Sequence, residues 1–102
     1  MLDKSTNIFF LGIGGIGMSG LARWMYYNGY SVKGWDDTPN TPLMKDLHKE
    51  GFITNAVDHV DIRTILHEWD KDNSIIIYTS AIKNNHKWLK WFTKNNLSLI
   101  HI

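Results

Sequence analysis

The sequence predicts an α/β fold built on a parallel sheet of five strands with helices on both faces. Two short apolar runs, Ile8–Leu11 and Ile75–Ile77, have the continuous hydrophobicity of strands that are buried on both faces. Segments of helical periodicity alternate with such runs, and strands that alternate with helices require crossover connections. A glycine-rich turn, Gly12–Gly17, joins the first run to the first helical segment. The predicted architecture is therefore Rossmann-like.

Size and composition indicate one small domain. The chain has 102 residues, enough for a single unit over 1–102. Its net charge of +1 supplies no long-range field for nucleic acid, and the absence of cysteine excludes disulfides and thiolate metal sites. The polar segment Met1–Asn7 and the short apolar run behind it predict neither a signal peptide nor a membrane span. We expect a cytoplasmic domain that binds neither nucleic acid nor membrane.

The first third of the chain predicts a strand, a helix and a second strand. Ile8–Leu11 is the first strand because the glycines end its apolar run. Apolar residues then recur at three- and four-residue steps over Ile16–Asn28, and Gly29 supplies a stop for this helix. Tyr30–Trp35 alternates weakly and ends at two aspartates. It is the predicted second strand.

The middle of the chain predicts a short helix and a short strand. Thr41 is suited to cap a helix that has Pro42 at its first position, and Gly51 ends that helix. The brief apolar segment Phe52–Thr54 is the predicted third strand. Apolar residues at helical spacing after Asp61 predict a further helix, capped by this aspartate and continuing through Trp69.

The last third predicts two strands around one helix. Ser74–Tyr78 has no polar residue at its centre and should lie in the middle of the sheet. Asn85–Lys94 combines apolar residues with lysines, as an amphipathic surface helix does, and Leu97–Ile102 is the predicted fifth strand. Right-handed crossovers give the strand order 3-2-1-4-5. In that order Gly12–Gly17, Asp36–Asp37 and Tyr78–Ile82 meet at one edge, where a ligand would bind.

The glycine-rich turn has the spacing G-x-G-x-x-G between a strand and a helix. Gly12 permits the tight turn, Gly14 lacks a side chain that would block a phosphate, and Gly17 lets helix and strand approach. Unpaired N–H groups at the helix start attract an anion. A phosphate or pyrophosphate is the predicted occupant, and Gly14→Val is expected to fold but to bind nucleotide weakly. The alternative interpretation is a glycine turn that only closes a strand onto a helix.

An acidic residue, Asp36, follows Gly17 by nineteen positions, about where dinucleotide-binding folds hold a ribose hydroxyl. A solvated turn carboxylate or the cap of nearby N–H groups explains Asp36 equally well. These residues alone do not separate NAD from a nucleotide-diphosphate substrate. The chain has no phosphate loop of the ATP-hydrolysing type, no clustered histidines and no carboxylate pair, so we predict neither a catalytic centre nor a metal site in it.

Three longer segments carry a resemblance to a known family. Ile8–Ala22, IFFLGIGGIGMSGLA, resembles the opening segment of the Mur ligases, and most closely that of members which attach L-alanine to UDP-N-acetylmuramate. Gly29–Asp36 is similar to the second strand of the family, and Tyr78–Ile82 is similar to its Y-[ST]-S-A-I stretch. The chain departs from the family where a Gly-His pair commonly follows the third strand, and His59 is interpreted as a surface residue. Trp35 is bulkier than is common in relatives.

The resemblance implies an amino-terminal domain that holds the UDP part of UDP-N-acetylmuramate for peptidoglycan synthesis. In the full-length enzyme, ATP and Mg2+ activate the substrate carboxylate in a central domain, and a carboxyl-terminal domain supplies L-alanine; both domains are expected to be absent here. The isolated domain is then inactive and needs no cofactor. The substrate-binding residues that the resemblance and the loop imply are Gly12, Gly14, Gly15, Ile16, Gly17, Asp36 and Ser80.

Other functions remain open from the sequence. A related ligase that attaches a tripeptide to the same nucleotide sugar in cell-wall recycling has a similar loop. An NAD-binding domain of an oxidoreductase or a sensor is compatible with the three spaced glycines. The tryptophan-rich helix at Asn85–Lys94 could bind a partner protein, but packing on the sheet explains its pattern equally. We expect Trp24, Trp69, Trp88 and Trp91 to pack between helices and sheet.

Overall fold

A parallel four-stranded sheet forms the centre of the computed structural model, which describes residues 3–56 and 61–102. The strands, in the spatial order β2-β1-β3-β4, are β1 (Asn7–Leu11), β2 (Ser31–Trp35), β3 (Ser74–Tyr78) and β4 (Ser98–His101). The helices are α1 (Ile16–Tyr27), α2 (Pro42–Lys49), α3 (Ile62–Ile65) and α4 (Lys87–Lys94). The prediction of a parallel sheet with helices is confirmed, but the sheet has four strands among the described residues and not five.

The predicted third strand is reduced to a single bridge. Ile53 pairs with Lys33 of β2 in the parallel sense, and its carbonyl accepts a hydrogen bond from Gly34 N–H at 3.1 Å. The chain then turns, because the hydroxyl of Thr54 accepts from the N–H of Ala56 at 3.0 Å. The segment lies beside β2, where the order 3-2-1-4-5 put it, but the turn leaves it too short to form a ladder.

The predicted helix from Asp61 to Trp69 is also shorter than expected. Asp61 caps α3 as predicted, since its Oδ1 accepts from Arg63 N–H at 2.7 Å, but the helix ends at Ile65. The ammonium of Lys33 donates to the carbonyl of Ile65 at 2.8 Å, which gives the helix end a partner outside the helix. Partial burial lowers the pKa of Lys33 below its ordinary value. Apolar spacing alone did not reveal this stop.

The helix α2 begins as the sequence predicts. Thr41 Oγ1 accepts from Met44 N–H at 3.2 Å, and Pro42 occupies the first helical position, where its missing N–H costs no hydrogen bond. None of the helices in the described parts of the chain is long and apolar enough to cross a membrane.

Two hydrophobic cores lie on the two faces of the sheet, because side chains of β1 alternate between them. Ile8 and Phe10 point to the face that α1 and α2 cover, and Phe9 and Leu11 point to the face that α3 and α4 cover. All four side chains are fully buried. The sheet is therefore covered on both faces, as the apolar run predicted.

The tryptophans divide into packed and exposed residues. Trp88 of α4 is 6% exposed and belongs to the core under α3 and α4, as expected. Trp24 of α1 is 61% exposed, so the expectation of packing is wrong for it. The apolar period of α1 places Met18, Ala22 and Met25 against the sheet and leaves Trp24 on the opposite side.

Trp88→Ala should therefore cost about 3–5 kcal/mol of unfolding free energy, because it opens a cavity in the core. Trp24→Ala, the same change at an exposed position, should alter stability by about 0.5 kcal/mol or less. Chemical denaturation monitored by circular dichroism measures both. Equal stability of the two variants would contradict the packing role of Trp88 and revive the partner-binding interpretation of this helix.

One ion pair joins α1 to the end of α2. Arg23 donates two hydrogen bonds to Glu50, from Nε to Oε1 at 2.9 Å and from Nη2 to Oε2 at 2.6 Å, and Tyr27 Oη adds a third at 2.9 Å. The Arg23 hydrogen bond holds the pKa of Glu50 below its ordinary value. Because the folded-state pKa is lowered, this stabilisation is present above the unfolded-state pKa and is lost as pH falls through the folded-state value.

Glu50→Gln is expected to lower stability by about 0.5–1 kcal/mol at neutral pH, since the pair is partly solvated. The difference from the unmodified chain should shrink as the pH falls through the lowered folded-state pKa of Glu50, and should disappear once Glu50 is protonated in both states. Urea denaturation over this pH range measures it, with Glu68→Gln at an exposed position as the control. A deficit that persists undiminished in acid would show that charge on Glu50 is not its cause.

Candidate functional site

The glycine-rich turn is held against the end of β2 by backbone hydrogen bonds. The N–H groups of Gly12 and Ile13 both donate to the carbonyl of Trp35, at 2.7 and 3.1 Å. The N–H of Gly15 donates back to the carbonyl of Gly12 at 3.1 Å, which closes the turn. Gly12 has a φ of +89°, a conformation that favours glycine. These contacts fix where α1 begins.

The side chain of Ile13 anchors the turn in the core, and a glycine in β2 makes room for it. Ile13 is fully buried. A Cβ atom on Gly34 would lie 2.5 Å from Ile13 Cδ1 and 2.7 Å from Ile13 Cβ, closer than real atoms approach. Sequence reasoning did not single out Gly34, although a glycine inside a strand is a known sign of close backbone approach.

The carboxylate of Asp36 binds the glycine turn directly. Its Oδ2 accepts from the N–H of Gly14 at 2.8 Å, and its Oδ1 accepts from the N–H and the hydroxyl of Thr38, at 3.0 and 2.8 Å. A Cβ on Gly14 would lie 2.8 Å from Asp36 Oδ2 and 3.2 Å from Met44 Sδ. A glycine is therefore needed at position 14 for a different reason than expected. The space beside it is filled by protein atoms and is not left for phosphate.

The N–H groups at the start of α1 remain available to a ligand. Those of Gly14 and Gly15 already have acceptors inside the protein. Those of Ile16 and Gly17, in the first turn, have none within residues 3–56 and 61–102, and Gly15 offers no side chain as a cap. The side chain of Ile16 is 91% exposed, and a Cβ on Gly17 would meet nothing within 4 Å. Open donors at the positive end of a helix dipole attract an anion.

The three segments that the topology brings to one edge line a cleft of about 260 Å3. Its lining residues come from the glycine turn, the end of β2 and the segment after β3; they are Gly12, Gly14, Gly15, Met18, Asp36, Asp37, Thr38, Thr79, Ala81 and Ile82. Ser80 is exposed and is not among them. The cleft wall after β3 thus comes from Thr79, Ala81 and Ile82, the neighbours of Ser80, and not from Ser80 itself.

A histidine at the rim of this cleft joins the end of β2 to α4. His86 caps α4, since its Nδ1 accepts from Trp88 N–H at 3.1 Å. The proton of the neutral ring is then on Nε2, which lies 3.2 Å from both carboxylate oxygens of Asp37. The ring of Trp35 packs edge-on against His86 with centroids 5.7 Å apart, and Trp35 does not line the cleft. Sequence reasoning missed this contact.

The described residues contain no group of three or more acidic, histidine or cysteine side chains that could hold a metal ion. His59, which the sequence comparison with the Mur ligases singled out, lies outside the described residues. The cleft offers two carboxylates and the side chains of Thr38 and Thr79. The open N–H groups of Ile16 and Gly17 do not line it, but they directly follow Gly15, which does.

Comparison with known proteins gives one family. The model of the "Mur ligase family, catalytic domain" matches residues 7–102. The UDP-N-acetylmuramate–L-alanine ligase of Cytophaga hutchinsonii is 41% identical over 100 residues, which cover 96% of this chain and 21% of the relative. The enzyme of the same name from Christiangramia forsetii is 36% identical over 101 residues, with 97% and 22% covered. The chain thus spans about a fifth of the length of these relatives.

Solved structures agree with this result. The crystal structure of UDP-N-acetylmuramate–alanine ligase from Thermotoga maritima matches 93% of this chain and 20% of its own, with a TM-score of 0.71 and 28% identity. A murein peptide ligase from Psychrobacter arcticus matches with the same TM-score, covering 93% of this chain and 18% of its own. Its identity is 20%, so it shows the fold alone.

Gly34→Ala tests the packing beneath the glycine turn. The added methyl group collides with Ile13, so we expect a loss of about 1–3 kcal/mol in unfolding free energy. Gly20→Ala in α1 is the matched control, because a Cβ there meets nothing within 4 Å. Because alanine has a higher helix propensity than glycine, this control should be more stable than the unmodified chain by up to about 1 kcal/mol. Thermal and urea denaturation measure both changes, and an equally stable Gly34→Ala variant would contradict the collision.

Proposed function

The chain belongs to the Mur ligase family, and from that premise we propose that it is the UDP-binding, amino-terminal domain of a UDP-N-acetylmuramate–L-alanine ligase. The observation that carries the proposal is the pair of open N–H groups, Ile16 and Gly17, at the start of α1 beside the cleft. Two adjacent main-chain donors at the positive end of a helix dipole are suited to bind the oxygens of a diphosphate. The two relatives that cover almost the whole chain support the choice of nucleotide sugar.

Each of the predicted site residues has its own role in this proposal. Gly12, Gly14 and Gly15 shape the turn, while the N–H groups of Ile16 and Gly17 hold the diphosphate. The cleft beside Asp36 receives the uridine part, and Ser80, exposed next to this cleft, reaches the diphosphate or the sugar. Ile16 presents its N–H and not its side chain, which is why an exposed isoleucine is compatible with an anion site.

Catalysis belongs, in this proposal, to the rest of a longer cytoplasmic protein that uses ATP and Mg2+ to join L-alanine to the substrate carboxylate. The described residues offer no metal-binding cluster. The glycine turn also lacks the lysine of an ATP-hydrolysing phosphate loop. We therefore assign no step of ATP chemistry to this chain, and we expect the isolated domain to bind substrate without converting it.

The proposal is tested by titrating the chain with UDP-N-acetylmuramate and, separately, with NADH while following backbone amide resonances. We expect the nucleotide sugar to bind more tightly and to shift the resonances of Ile16 and Gly17 more than those of distant residues such as Asn95. Tighter binding of NADH would reject the proposal in favour of a dinucleotide-binding domain.

A pair of variants isolates the main-chain contribution. Ile16→Pro removes one N–H but fits the first helical position, and Gly15 before it already has the extended φ and ψ of −68° and 146° that proline requires. Loss of one charge-assisted hydrogen bond should weaken binding of the nucleotide sugar by about tenfold or more. Ile16→Ala keeps the N–H and should bind like the unmodified chain. Equal affinities of the two variants would remove this amide from the site.

A further inference from the structure

We propose that Asp36 is a positioning residue, which holds the glycine turn in place through Gly14. This inference rests on the proposed function only in its binding experiment. The evidence is a line of hydrogen bonds that runs from the loop after the Ile53 bridge, through Asp36, to the turn. In such a line Asp36 acts on a ligand by fixing the backbone that the ligand contacts.

The first part of the line fixes the backbone of Asp36. The Oδ1 atom of Asn55 accepts from Asp36 N–H at 3.0 Å, and Asn55 Nδ2 donates to the carbonyl of Asp36 at 2.8 Å. Asn55 is 4% exposed, so both hydrogen bonds are sheltered from water. A side-chain amide here replaces the backbone partner that a third strand would have given to Asp36.

The second part of the line occupies the carboxylate. An ionised carboxylate has about four acceptor sites. Three of them are used within the protein, by the N–H of Gly14 and by the N–H and hydroxyl of Thr38, all at 2.8–3.0 Å. These three hydrogen bonds orient the carboxylate toward the turn and leave at most one acceptor site for a ligand.

The same contacts restrict where a diphosphate lies. The N–H of Gly14 is taken by Asp36, and the negative charge beside it repels a phosphate from that part of the cleft. The open donors of Ile16 and Gly17 lie two and three residues further along the chain. Asp36 therefore both sets the position of these donors and directs the anion toward them.

Hydrogen exchange of the Gly14 amide in the ligand-free chain tests the first half of the proposal. Asp36→Ala removes the acceptor and should speed exchange at Gly14 by about tenfold or more. Thr38→Val is the control, since it removes a partner of Asp36 but leaves the acceptor of Gly14. Unchanged exchange at Gly14 in Asp36→Ala would overturn the proposal.

Asn55→Ala extends this measurement to the start of the line. Asn55 makes no hydrogen bond to Gly14, yet its loss should also speed exchange at Gly14, because the Asp36 backbone is released. Exchange at Phe9, which is fully buried in the central strand β1, should stay slow and shows that the variant is folded. Faster exchange only at the residues next to Asn55, with the rate at Gly14 unchanged, would refute the connection between Asn55 and the glycine turn.

Binding of UDP and of inorganic pyrophosphate tests the second half. A positioning role predicts that Asp36→Ala weakens UDP and pyrophosphate alike, because the turn that both probes contact moves. A role confined to nucleoside contact predicts instead that Asp36→Ala weakens UDP about tenfold and leaves pyrophosphate unchanged, which would overturn the proposal. Should the unmodified chain bind neither probe, the proposed function fails, while the exchange of Gly14 still decides the role of Asp36.

Discussion

The close approach between the ends of β1 and β2 is the constraint on which the rest of the site depends. Trp35 accepts two hydrogen bonds from the glycine turn, and the next residue, Asp36, accepts a third from Gly14. Together they determine where α1 begins and which of its N–H groups face the cleft. Parallel pairing of β1 with β2 makes this possible, because both strands end at the same edge of the sheet.

The glycines serve this approach more directly than they serve a ligand. A side chain on Gly14 would strike Asp36, and one on Gly34 would strike Ile13. In the proposed site, the phosphate explanation of the G-x-G-x-x-G spacing therefore applies to the open amides of α1 and not to the second glycine. Once the turn is pulled against β2, only Ile16 and Gly17, with the residue after them, present free donors to an anion. Close packing of the protein thus creates the site indirectly.

The sequence predicted those features that arise from local chemistry. The bounds of Ser74–Tyr78 are confirmed, because a continuous apolar run between polar residues is a strong signal for a central strand. Thr41 and Asp61 cap helices as predicted, since a cap depends on its own neighbours. The end of α3 has a partner from elsewhere in the chain, Lys33 on the carbonyl of Ile65, and the third strand is cut short by side-chain hydrogen bonds of Thr54 and Asn55. No periodicity in the segment itself records such partners.

The same distinction explains why much of the information for this site lies outside its motif. A ligand held by main-chain N–H groups is indifferent to the side chain at Ile16, which is 91% exposed and does nothing to hold its amide. It is sensitive to every residue that fixes the backbone, and these include Gly34 and Asn55, which lie 17 or more positions from the glycine turn. In the proposed site, three spaced glycines indicate where an anion would bind, while residues of β2 and of the loop beside it decide whether the donors point there. A substitution in that loop would therefore impair binding without touching either the motif or the ligand.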